Sequence, residues 1–240
     1  MGTVWALAVL LGGCPAHPGR PGGPTQEAVP ASAQRPQAHL GRPYDVVTSE
    51  SLLTIQVYRG GPLAKAGHNH VIASHDLSGT IYVPPDPMRA TFEIRLPLAS
   101  LSVDEAALRA QAGQDFQAAV PDSAREGTRR NMLGQALLNA EVFPQIVLRS
   151  QSIESGGTQG DLEVHVEAEV REAPHPILVP IHYDLQSTQL TITGEVPLRQ
   201  TDLGLTPFSA MLGALQVENE MRVKFRIVAR PAPPSGGAGH

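Results

Sequence analysis

Glu220-Met221-Arg222-Val223-Lys224-Phe225-Arg226-Ile227-Val228-Ala229 is the stretch on which the fold turns. Met221, Val223, Phe225, Ile227 and Ala229 are apolar, while Glu220, Arg222, Lys224 and Arg226 between them are charged. A period of two belongs to a strand that buries one face and wets the other, because successive side chains leave an extended backbone on opposite sides. The same alternation recurs upstream. Leu53, Ile55 and Val57 alternate with Thr54, Gln56 and Tyr58; Phe92, Ile94, Leu96 and Leu98 with Glu93, Arg95 and Pro97. Leu162 to Val170 alternates with Glu163, His165, Glu167 and Glu169, Val179 to Leu185 with Pro180, His182 and Asp184, and Leu190 to Leu198 with Thr191, Thr193 and Glu195. Turn-forming runs separate these segments: Pro84-Pro85-Asp86-Pro87, Ser155-Gly156-Gly157, Pro174-His175-Pro176 and Asp202-Leu203-Gly204. With shorter pieces at 44–48, 71–83 and 146–153, the count comes to about eight strands. Strands with one apolar face fit an all-β antiparallel barrel or sandwich and not a parallel sheet, whose strands are apolar on both faces.

One region breaks the alternation. Asp104 to Asn139 is rich in Ala, Gln, Leu and Arg. Asp104 is placed to cap a short helix over 104–113. Ser123-Ala124-Arg125-Glu126 reads as a capping box opening a second helix that runs to about Leu138, with Met132, Leu133, Ala136 and Leu137 on its apolar side. Such a helical insertion between strands most simply lies across one mouth of a barrel. Aromatic residues are only 4% of the chain, and the inward sets are Val, Ile, Leu, Ala and Gly. An eight-stranded barrel either fills with side chains or holds one small ligand, and few bulky fillers point to a narrow apolar bore. Its expected ligand contacts are Ile81, Phe92, Ile94, Leu96, Met132, Leu133, Val164, Val166, Ile192, Met221, Val223 and Phe225.

The 240 residues are 41% hydrophobic and 17% charged, with net charge −5 and no basic block, which argues against nucleic-acid binding. Much of the Gly and Pro is crowded into 14–43 and 231–240. The expected organisation is therefore a signal peptide at 1–13, a Pro/Gly-rich flexible tether at 14–43, a β-barrel domain at 44–230 and a disordered tail at 231–240. Cys14 is the single cysteine, so no intramolecular disulfide can form. The uncharged run Thr3 to Leu11 suits a signal-peptide core and is too short to span a bilayer. It ends in Leu11-Gly12-Gly13-Cys14, which resembles a bacterial lipobox. The expectation is export to the periplasm or cell envelope, with membrane attachment through acylated Cys14.

Ordered landmarks carry a family resemblance. They are Tyr44-Asp45-Val46-Val47, Leu77-Ser78-Gly79-Thr80-Ile81, Asn131-Met132-Leu133 running on through Val142-Phe143-Pro144-Gln145-Ile146, Gly160-Asp161-Leu162-Glu163-Val164-His165, and Leu198-Arg199-Gln200-Thr201-Asp202-Leu203-Gly204-Leu205. In order and spacing the body resembles the YceI-like family of exported polyisoprenoid-binding proteins over nearly all of 44–230. The resemblance implies a lipocalin-like barrel, often a homodimer, that encloses a long isoprenoid chain; no cofactor is expected.

Gly67-His68-Asn69-His70, with His75 nearby, offers a rival reading. In an extended segment His68 and His70 point to the same side, so with His75 as third ligand they are candidates for a Zn or Cu site. The nucleophile-elbow, phosphate-loop and dinucleotide-binding motifs are absent from the sequence, and the chain reads as a binding protein and not an enzyme.

Overall fold

The computed structural model describes residues 40–233; Cys14, the 1–13 segment and most of the two Pro/Gly-rich ends lie outside them. Twelve strands build one sheet: β1 (Arg42–Val46), β2 (Leu52–Gly60), β3 (His70–Ser74), β4 (Ser78–Val83), β5 (Thr91–Pro97), β6 (Ser102–Val103), β7 (Gln145–Ser155), β8 (Asp161–Val170), β9 (Ala173–Leu185), β10 (Leu190–Arg199), β11 (Ser209–Ala210) and β12 (Leu215–Pro231). Several are halves of one stave. β1 and β2 lie end to end along β12, with Tyr44 opposite Pro231 and Leu53 opposite Phe225. β3 continues into β4, and β5 into β6. Eight antiparallel staves result, each paired with its neighbour in sequence, and β12 closes back on β1 and β2. Closure removes the free edges an open sheet would expose.

The kink between β1 and β2 would orphan backbone groups, and Ser51 satisfies them. Its buried hydroxyl donates to the Val47 carbonyl (2.9 Å) and accepts from the Val228 N–H (3.1 Å). Outward faces carry the polar half of each alternation. Arg149 on β7 bridges Glu93 of β5 (2.9 Å) and Glu169 of β8 (2.5 Å), and these hydrogen bonds, Glu169 foremost, hold its guanidinium above its ordinary pKa.

Because the staves alternate in direction, connections fall at two ends. One end carries the short turns at 84–90, 156–160 and 186–189; the other carries 61–69, the insertion 104–144, the tight turn at 171–172, and 200–214. The insertion holds α1 (Ala106–Gln111) and α2 (Asp122–Leu133). Both predicted caps need correction. Residue 105 caps α1 without a side-chain bond, because Asp104 sits in a left-handed conformation (φ 59°) and turns its carboxylate into the core. α2 starts after Pro121, with no capping bond from Ser123, and stops at Leu133 instead of Leu138. Past Gly134 the chain folds back, with Leu138 and Ala140 donating to the Met132 and Leu133 carbonyls (3.2 and 2.9 Å).

Pro174-His175-Pro176 is also not a turn: it lies within β9. The physical reason is a seam in the barrel wall. Tyr183 of β9 donates its N–H to Gly160 on the β8 side (2.8 Å), so odd-numbered N–H groups of β9 face β8 and even-numbered ones face β10. Pro174, Pro176 and Pro180 are all even, so every missing N–H is on the β10 side. There β9 and β10 pair only from Leu190↔Leu185 to Thr193↔His182, whereas β8 and β9 pair over ten positions. Proline is tolerated because that edge has no ladder to lose. Beyond the last pair, Gly194 has no room for a side chain: a Cβ would meet the Phe225 ring at 2.5 Å and the Pro180 carbonyl oxygen at 2.8 Å.

Candidate functional site: an apolar bore and its polar mouth

Period-two alternation on eight closed staves sends one side chain in two inward. The resulting interior holds a cavity of about 190 Å³ whose lining side chains are all hydrocarbon or thioether save Tyr183. An apolar cavity of roughly 150 Å³ already stays dry and binds a benzene-sized molecule. Ile81, Phe92, Ile94, Leu96, Val164, Val166, Ile192, Met221, Val223 and Phe225, expected at this surface, all line it. The same alternation adds Leu53, Ile55, Ile177, Val179, Ile181 and Tyr183, which sequence reasoning left off although the period marks them equally. Met132 and Leu133 are placed otherwise. They come from α2, at the mouth: Met132 lines a second cavity and Leu133 packs against the core beside it.

That second cavity, about 410 Å³, lies at the helical end and differs in chemistry. Val57, Ile72, Met132, Leu137, Phe208 and Leu215 give it apolar walls; Arg59, His68, His70, Thr128, Asn131, Gln200 and Gln216 give it polar ones. Its organising group is Asp104, whose side chain is fully buried. The carboxylate accepts from the Val71 N–H (2.9 Å), from Arg109 (2.5 Å) and from His70 Nδ1 (2.6 Å). Burial alone would push this carboxyl up, but the His70, Val71 and Arg109 hydrogen bonds outweigh it and hold it below the ordinary carboxylate range. A carboxylate can only accept, so His70 Nδ1 is the donor, and in neutral His70 the lone pair on Nε2 takes the Thr128 hydroxyl of α2 at 3.0 Å. Arg109 also donates to the Asn69 and Ala118 carbonyls (2.8 and 2.9 Å) and lies 6.0 Å from the Phe116 ring. One buried carboxylate thus ties β3, α1, the 112–121 connection and, through His70, α2 into a single network over the mouth.

This geometry corrects the metal reading. Both ring nitrogens of His70 are engaged, and His75 is exposed and paired with Glu105 (3.1 Å). His68 does stand beside His70, ring centroids 6.1 Å apart. Its imidazole is pushed below its ordinary pKa, first by burial and then by His70, Arg109 and Arg59. Among the described residues no group of three His, Cys, Asp or Glu side chains is placed to hold a metal ion. The residues missed from sequence are Asp104 as a buried hub, Arg109, Thr128 and Phe116. Asp104 alone carries a signal, a charged residue directly after the strand-like Leu98-Ala99-Ser100-Leu101-Ser102-Val103, which helix-capping logic explains equally well.

A closed antiparallel barrel around an apolar bore, with a helix-capped polar mouth, defines a lipocalin-like container. The sequence pattern of the YceI-like domain matches residues 44–229, and the chain belongs to that family. Its barrel is similar to BcnA of Burkholderia cenocepacia (14% identity, TM-score 0.56, covering 76% of this chain and 98% of that one). It is also similar to a polyisoprenoid-binding domain from Saccharophagus degradans implicated in plant cell wall breakdown (12% identity, TM-score 0.50, covering 79% and 98%). At these identities the structural likeness concerns the fold. No curated protein matches the chain.

Proposed function

We propose that the domain is a binding protein that takes a long-chain apolar lipid of the isoprenoid class into the bore. The carrying observation is the bore itself, a cavity with a hydrocarbon lining on a scaffold shared by a polyisoprenoid-binding domain. Binding is driven by removal of chain surface from water, about 25 cal/mol per Å². A hydrocarbon wall makes no demand on headgroup chemistry, so selectivity is for chain shape. At about 190 Å³ the bore as it stands accepts a short length of chain, and a longer one enters as side chains swing aside or the β9–β10 seam parts. The polar mouth receives whatever hydrophilic end the lipid carries. Mass spectrometry of organic extracts from the purified protein should show a stoichiometric isoprenoid; extracts free of lipid would overturn the reading.

We propose further that the protein is exported and anchored in the cell envelope through an acylated Cys14, on the strength of the Leu11-Gly12-Gly13-Cys14 sequence. Cys14→Ala should then move the protein from the membrane fraction to the soluble exported fraction. Wild-type protein recovered from the cytoplasm with Met1 retained contradicts this.

A further inference from the structure

We propose that the apolar hairpin over 208–217, with Met211 and Leu212 at its tip, Phe208 at its base and Leu63 beside it, inserts into a lipid bilayer and docks the mouth of the barrel on the membrane surface. All four side chains are exposed, Met211 at 70% and Leu212 at 109%. They converge from two neighbouring connections at the helical end, where the Leu63 N–H donates to the Ala214 carbonyl (2.8 Å). The chain from Leu203 to Val217 carries no Asp, Glu, Lys or Arg, in a protein that is 17% charged overall. The backbone there is held at a cost: Met211, Leu212 and Gly213 all have positive φ (51°, 54° and 88°). For the glycine this is ordinary, but for bulky side chains it is an outlier, and neither side chain is compensated by packing in the protein.

A bilayer fits this surface better than a protein partner. Stable protein interfaces engage about 20–30 residues a side, far more than one short hairpin and the neighbouring Leu63 offer. Shallow insertion to about 5–10 Å is what a short apolar protrusion provides. Exposed Lys65, two residues after Leu63, can meet anionic headgroups, while Glu218 near Gly60 lies on the β12 side of the tip. Phe208, Ala210 and Leu215 also line the mouth cavity, so docking here brings that cavity against the membrane. The use of such docking, loading the bore from lipid, rests on the carrier reading; the docking itself does not.

The test is co-sedimentation of the full chain with vesicles of phosphatidylethanolamine and phosphatidylglycerol, carrying Cys14→Ala so that no acyl chain contributes. The parent should bind, and Leu212→Asp and Met211→Asp should each weaken partitioning about tenfold, the effect of losing one buried side chain. Leu212→Gly is the sharper variant. It suits the positive φ, so thermal stability should hold or rise while vesicle binding falls. No binding by the parent, or variants that bind as well as it does, overturns the proposal. So does Leu212→Asp dissociating a dimer of a chain that ignores vesicles. Lipid extraction from the same preparations scores the carrier reading separately: vesicle binding with empty extracts sinks the carrier and leaves the docking, and loaded extracts without vesicle binding do the reverse.

Discussion

The bore and the mouth are two cavities of one barrel built by opposite means. In the bore each residue contributes a little: Ile81, Ile94, Val164 and Val166 are interchangeable parts of a hydrocarbon surface, and none makes a directed bond through its side chain. In the mouth a single carboxylate holds four segments together. Dispersion and burial scale with area and degrade gradually, whereas a buried charge is all or nothing, since any partner removed leaves another unsatisfied. Mutations at the mouth should therefore be few and severe, and mutations in the bore many and mild.

The largest effect tests that contrast directly. Asp104→Ala strands Arg109, His70 and the Val71 N–H together and should cost about 3–5 kcal/mol in chemical denaturation. Asp104→Asn retains some of the hydrogen bonding and should lose less. A loss under 1 kcal/mol for Asp104→Ala would mean that the mouth is no more centralised than the bore.

Next in size is the acid response. The Asp104 carboxyl is held below its ordinary range in the folded protein, so its contribution is complete above the unfolded-state pKa of about 3.9 and drains away as pH falls through the lower folded value. Stability should therefore decline below about pH 4, and Asp104→Asn should flatten that decline. An unchanged acid limb in the variant would assign the loss to other carboxylates.

How much of this was legible follows the same divide. Period-two patterning is a property of the sequence itself, so the eight staves, the antiparallel order and ten residues that line the bore could be read from it, once Ile94 is inward and Glu93 outward. The mouth could not, because its organisation joins His70, Asp104, Arg109 and Thr128 across up to 58 positions with no local signature. Asp104 followed by an Ala-rich run satisfies a capping rule, and only the tertiary bonds to β3 override it. The prolines of β9 misled for a related reason: whether Pro174 and Pro176 end a strand depends on whether a neighbour needs their N–H groups, and β10 has diverged by then.

The seam gives an intermediate prediction. Gly194→Val places a branched side chain against the Phe225 ring and the Pro180 carbonyl, and backbone cannot yield as a side chain does. Overpacking of this kind costs about 1–3 kcal/mol, and a displaced Phe225 ring has the bore to move into. Stability and lipid content should fall together, measured by thermal melting and by extraction. Normal lipid content in a folded Gly194→Val protein would show that Phe225 does not constrict the path of the chain.

The smallest effect belongs to the bore proper. Ile94 is 4% exposed and lines the cavity, so Ile94→Val removes one methyl group at an expected cost of about 0.5–1.5 kcal/mol. That cost has two parts, the lost transfer energy and the space left behind, and only the second depends on what occupies the bore. With the bore empty, the new void adjoins existing space and the lining loses contacts outright. With a lipid chain in place, a flexible ligand settles into the void and recovers part of the loss. The variant should thus lose less stability loaded than after solvent extraction, with wild type carried through the same extraction as reference. Equal losses in both states would mean that the ligand does not touch Ile94, and the contact surface would have to be redrawn toward the mouth.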